Sequence, residues 1–200
     1  MQKLTPIELR RLRLKNDYLE LCNMVGDILQ FEVIKGEVPY VEEYKLTINI
    51  RTIIGPAPTY RDKHEVIVTL PPTYPYAFPQ NKMITVPHPY HPNWSSSMCP
   101  GAVKHDIYQG DNLQESLCEH IHRIMKTLQF SPEFTNWHNG YNVVDKFFIY
   151  CMENGLAPCD IQTLPDPTQA KLEKAKAFQI KENKQPKTFK IEEKKKFDIH

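Results

Sequence analysis

Two hundred residues, 40% of them apolar, with a formal net charge of +1, describe one ordinary domain with something appended, since a typical domain takes roughly 100–200 residues. A near-neutral chain has no overall field to draw it to nucleic acid or an anionic membrane, and no run of about 18 apolar residues marks a membrane span. The five cysteines, Cys22, Cys99, Cys118, Cys151 and Cys159, form no CxxC pair, and the N-terminal stretch is too charged for a signal peptide, so reduced thiols and a cytoplasmic location are expected.

In chain order, Thr5-Pro6-Ile7-Glu8 is a capping box with proline at the first helical position. It predicts a helix whose buried stripe is Ile7, Leu14, Tyr18, Leu21 and Cys22, with Arg10, Arg11, Arg13 and Lys15 mostly facing water and Gly26 ending it. Four strands follow. Phe31 and Val33 alternate with Glu32 before Gly36; Leu46, Ile48 and Ile50 oppose Lys45, Thr47, Asn49 and Arg51; Val66, Val68 and Leu70 repeat the pattern; Met83 to Val86 is a short fourth strand. Such alternation predicts an antiparallel meander with one wet face.

Many of the seventeen prolines fall between residues 56 and 100, where they mark rigid loops between short strands, because proline cannot donate to a ladder. Beyond an irregular stretch over 87–111, Asn112 and Glu115 read as a second helix start, with Leu113, Leu117, Ile121, Ile124, Met125 and Leu128 on one face. A third helix fits 140–152, where Tyr141, Val144, Phe148, Cys151 and Met152 line up. Helices grouped on one face of an antiparallel sheet make an α+β domain over residues 1–157. Residues 158–200 are expected to be a lysine-rich tail, helical in part over 167–181, because 171–200 hold ten lysines against five acids and little apolar material.

Two segments carry chemistry. Leu70-Pro71-Pro72-Thr73-Tyr74-Pro75, followed by Phe78-Pro79, comes directly after a strand. His91-Pro92-Asn93 stands shortly before Met98-Cys99. A thiolate attacks thioesters readily, and the thioester it forms stays activated toward amines. Cys99 sits in a loop without apolar periodicity, whereas Cys22, Cys118 and Cys151 lie on or beside helical apolar stripes and read as packing residues.

This order of elements, with a PPxYP turn, an HPN tripeptide and a nearby cysteine, resembles the ubiquitin-conjugating enzymes over about residues 5–153. The resemblance implies that ubiquitin or a ubiquitin-like modifier is carried as a thioester on Cys99 and passed to a lysine of a protein substrate, with no cofactor and no metal. It implies that the Asn93 amide stabilises the oxyanion of that transfer or shapes the loop, and that His91 supports the loop rather than acting as a base. It implies an activating enzyme docking on the first helix at Arg10, Arg11, Arg13 and Lys15, a gate residue among Asn136, Glu133 and Asp106, and a ligase reached through Tyr76. Where the family has a glycine before its cysteine, this chain has Trp94-Ser95-Ser96-Ser97-Met98; Pro100-Gly101 follows Cys99, and Tyr108-Gln109-Gly110-Asp111 replaces a tryptophan and Ser-Pro-Ala loop. These departures mark a divergent member of bacterial or viral type and put the usual ligase surface in doubt. A noncatalytic module on the same scaffold is the alternative, and a zinc site of His88, His91, Cys99 and His105 is a third reading, though its spacing matches no compact zinc pattern.

Overall fold

The computed structural model describes residues 4–55, 58–91, 94, 96–98, 115–131, 150, 153–157 and 161–173. Helix α1 (Pro6–Cys22) begins at the expected box: the Thr5 side chain accepts from the Glu8 amide, and the Glu8 carboxylate accepts from the Thr5 amide. Two of the orphan amides at the start of the helix are thereby bonded. The helix stops at Cys22 with Asn23 as its cap, earlier than Gly26.

The buried stripe of α1 differs from the apolar one. Leu14, Asp17, Glu20 and Leu21 are buried, followed by Met24 beyond the cap, while Ile7 is 81% exposed and Cys22 is exposed. Carboxylates thus hold two positions that a periodicity argument gives to apolar residues, and Asp17 can do so because polar partners reach it from elsewhere in the chain. Arg10 and Arg13 correspondingly turn inward: Arg10 donates to Glu42 at 2.8 Å, and Arg13 lies 3.2 Å from Asp17. Arg11 and Lys15 remain exposed.

The main sheet contains β1 (Leu29–Glu37), β2 (Tyr40–Ile48), β5 (His64–Thr69) and β6 (Gln80–Met83) in that spatial order, and every neighbouring pair is antiparallel. Between β2 and β5 the chain makes a separate hairpin of β3 (Thr52–Gly55) and β4 (Thr59–Arg61). The sequence signal for that hairpin, a β-branched run broken by Gly-Pro, is present in Thr52-Ile53-Ile54-Gly55. The fourth strand is Gln80–Met83 and not Met83 to Val86. Ile84 and Val86 are 40% and 70% exposed, and a polar edge strand is held by its ladder to β5 rather than by an alternating apolar face.

Within β2 and β5 the alternation is as expected: Leu46, Ile48, Val66 and Val68 are fully buried, and Lys45 pairs with Glu65 on the opposite, wet face at 2.9 Å. Each such aliphatic side chain contributes about 1.5–3 kcal/mol by leaving water. Helix α2 (Leu117–Leu128) lays Leu117, Cys118, Ile121, Ile124, Met125 and Leu128 into the same core. Its cap is Ser116, with Glu119 completing the box, so the helix starts later than Asn112 and Glu115 suggest. Residues 112–114 and most of the third helix expected over 140–152 lie outside the described residues; Tyr150 is helical. The architecture is α+β, with helices packed against one face of an antiparallel sheet.

Residues 161–173 pack on this body. Ala170 is buried and Leu164 lies against the core. His122 Nδ1 donates to the Pro165 carbonyl at 2.8 Å, Gln129 to that of Gln162 at 2.8 Å, and Asn23 to that of Ala170 at 3.1 Å. Residues 167–173 are helical, and Lys171 pairs with Glu119 at 2.8 Å.

Candidate active site

The proline-rich turn after β5 is tied to α1. Tyr74 donates its amide to the Pro71 carbonyl at 2.9 Å, which folds the turn, and its ring is buried. Its hydroxyl donates to Asp17 Oδ2, which also receives Arg13. Burial pushes the Asp17 carboxyl up to about 6, although Arg13 and the Tyr74 hydroxyl pull it down. Tyr76 is 47% exposed.

From β6 the chain runs through Pro87, Pro89 and Tyr90, whose amide donates to the Ile53 carbonyl at 2.8 Å, to His91. The imidazole is buried and meets Phe130 edge to face, with ring centres 4.7 Å apart. Burial pushes its pKa down to about 3, so the ring is neutral at physiological pH. Phe130 follows the Gln129 cap of α2 with φ +57°, and its amide and that of Ser131 donate to the Thr127 and Lys126 carbonyls. This is a Schellman closure with phenylalanine where glycine is usual.

The segment leading to Cys99 is fastened to the edge of the sheet. Trp94 and Met98 form an antiparallel bridge, and both are buried. The Met83 amide of β6 donates to the Ser96 carbonyl at 2.9 Å. The Met98 amide donates to Asn81 Oδ1 at 2.7 Å, so a β6 side chain holds the residue that immediately precedes Cys99.

Behind Asn81 lies a buried polar group on α2. Asn81 Nδ2 is 3.2 Å from His120 Nε2. His120 Nδ1 is 3.0 Å from Glu115 Oε2 and 3.0 Å from an Arg123 terminal nitrogen, which itself donates to Glu115. Burial lowers the His120 pKa and Arg123 adds to that, against the pull of Glu115. The sequence reading missed Asn81, Glu115, His120 and Arg123 as a unit. Its only local trace is the pair His120 and Arg123 at i, i+3, which share a helix face.

Cys99, Asn93, Asp106, Glu133, Asn136 and His105 lie outside the described residues. Among the described residues no group of three or more His, Cys, Asp or Glu side chains is placed to hold a metal ion, and no helix is long and apolar enough to cross a membrane. Cys118 is buried, and burial raises its pKa well above the ordinary value, which leaves it a packing thiol.

No protein-family model matches this chain, and no curated protein matches it. Among solved structures it is similar to the human ubiquitin-conjugating enzyme E2 G1, at 19% identity over 63% of this chain and 98% of that chain, with a TM-score of 0.44. No residue role follows from so distant a likeness.

Proposed function

We propose that this chain is a ubiquitin-conjugating-type acyltransferase: it accepts ubiquitin or a ubiquitin-like modifier as a thioester on Cys99 and passes it to a lysine of a protein substrate. The observation that carries the reading is the fastening of Met98 to Asn81 at 2.7 Å, which anchors the approach to the one cysteine that follows an HPN tripeptide. A nucleophile that must meet a second protein's thioester gains from a fixed backbone direction, because orientation is a large part of the barrier. The Asn93 amide is the proposed oxyanion donor. The neutral, buried His91 packs against Phe130 as a structural residue and exchanges no proton at physiological pH.

Arg11 and Lys15, the basic side chains of α1 left exposed, are the proposed contacts for an activating enzyme. Arg10 and Arg13, bonded to Glu42 and Asp17, serve the fold.

The test is charging with an activating enzyme, a modifier and ATP. The expected product is a reductant-sensitive adduct one modifier larger, lost in Cys99→Ala and retained in Cys22→Ser. A reductant-sensitive adduct that persists in Cys99→Ala overturns the assignment. For Asn93→Ala the expectation is near-normal charging with discharge to lysine slowed roughly 10²–10³-fold; equal slowing of both steps assigns Asn93 to loop structure alone.

A further inference from the structure

The bonds around Asn81 have only one consistent direction. The Met98 amide can only donate, so the Asn81 atom it meets is the carbonyl oxygen Oδ1. The amide group of Asn81 therefore faces His120, and Nδ2 can only donate to Nε2. His120 Nε2 must then carry a lone pair, which leaves the ring proton on Nδ1, where Glu115 Oε2 accepts it at 3.0 Å. The Arg123 nitrogen beside Nδ1 gives its own hydrogen to that same carboxylate oxygen. A backbone amide on the loop thus selects an imidazole tautomer on α2 through one side chain of β6.

We infer that Asn81 and His120 are positioning residues: as one hydrogen-bonded couple they clamp the Met98 amide and so fix the residue that immediately precedes Cys99. The two side chains come from different layers, the edge of the sheet and the face of α2. The clamp therefore ties the loop to both at once, and neither partner could hold it in this way without the other. His120 is 1% exposed, and its ring is fixed on the far side by Glu115, which Arg123 holds in turn, so Asn81 has one low-energy orientation rather than two. The consequence for acyl transfer rests on the reading of Cys99; the clamp on Met98 does not.

The experiment is hydrogen exchange at the Met98 amide of the full chain, read beside amides in the centre of β2, and then charging and discharge of the same variants. Asn81→Ala is expected to speed Met98 exchange about tenfold, the factor one buried hydrogen bond commands, while Tyr44 and Leu46 are unchanged. His120→Leu is expected to speed it by a smaller factor, and His120→Gln, whose side-chain carbonyl can still accept from Asn81, to restore most of the protection. Asn81→Asp keeps the acceptor for Met98 but sets a carboxylate oxygen against the Nε2 lone pair, a repulsion that a second proton on the ring relieves.

In that variant, with Glu115 and Arg123 the other charged groups facing the ring, the Met98 protection factor is expected to fall short of wild type at neutral pH and to recover as the pH is lowered. A protection factor there that does not change with pH overturns the tautomer and with it the couple. Unchanged Met98 protection in Asn81→Ala overturns the clamp, and so does a His120→Gln variant as unprotected as His120→Leu. Equal acceleration at Met98 and across β2 also overturns it, since that is general loss of stability. A wild-type chain that shows this exchange pattern but never charges supports the clamp and removes the acyl-carrier reading.

Discussion

Phe130 holds its backbone at φ +57° while its ring meets His91 edge to face at 4.7 Å. A left-handed conformation costs a non-glycine residue roughly 1–2 kcal/mol, so the ring contact with His91 offsets a local penalty at the end of α2. Phe130→Ala should keep the strain and open a cavity, for a loss of about 3–5 kcal/mol. Phe130→Gly should lose the same packing but release the strain, and so be the more stable of the two. Urea unfolding of both variants checks the order, which is the reverse of the alanine-over-glycine ranking inside a helix.

Stability should fall with acid. His64 is buried with its pKa pushed down to about 4, and His91 likewise to about 3, so the unfolded chain takes up protons first as pH drops below about 6.5. The stability these two rings hold is fully present above that pH and is lost progressively toward their folded values. Asp17 has the opposite sign: burial raises it to about 6, so between its ordinary value near 4 and about 6 the folded state binds the extra proton, and stability falls as pH rises. Each tenfold change in proton affinity is worth about 1.4 kcal/mol. Asp17→Asn should therefore make unfolding more steeply acid-sensitive between about pH 4 and 6, measured as urea midpoints across that range.

Charge reversal on α1 should separate two kinds of arginine. Arg13→Glu removes the partner of a carboxylate that is 1% exposed and should destabilise the fold by about 3–5 kcal/mol. Arg11 lies over the Tyr40 ring at 4.2 Å, an exposed contact worth about 0.5–1 kcal/mol. Arg11→Glu should lower the melting temperature by only about 1–4 °C while slowing charging, more at low salt than at high. Normal charging by Arg11→Glu together with Lys15→Glu places the activating-enzyme contact elsewhere.

Two truncations should behave differently. Removal of 174–200 leaves the contacts of Leu164, Ala170 and Lys171 in place and should lower the melting temperature less than the longer truncation does. Removal of 160–200 takes the carbonyl partners from Asn23, His122 and Gln129 and uncovers core, and should lower it by several degrees, about 2–4 °C per kcal/mol lost being usual at this size. Equal melting temperatures for the two would show that 161–173 contribute little to stability.

The first cap and the central strands were legible in the sequence because their signals are local: Thr5 to Glu8, and the alternation of Leu46, Ile48, Val66 and Val68. The burial of Asp17 was not, since its partner Tyr74 is far along the chain and helical periodicity counts only apolar side chains. The start of α2 was misplaced because two capping patterns overlap, and Glu115 faces His120 and Arg123 instead of capping. The motif residues His91 and Cys99 stood out by type and order. Asn81 did not, because an asparagine on an edge strand becomes informative only when its two partners, on a loop and on a helix, come together in space.

The hairpin of β1 and β2 has a further consequence. β1 is a terminal strand of the sheet and carries Val33 and Ile34, 39% and 49% exposed, the composition that invites strand-to-strand aggregation. Its register breaks on either side of Lys35, and Gly36 sits at φ +97°, where an added Cβ would stand 2.7 Å from the Tyr40 carbonyl oxygen. The bulge twists the strand out of line, and Lys35 and Glu37 bracket Gly36 with opposite charges. An incoming β-strand therefore finds the straight run of amides and carbonyls cut short after Val33, and this kink limits fibrous self-association along that rim.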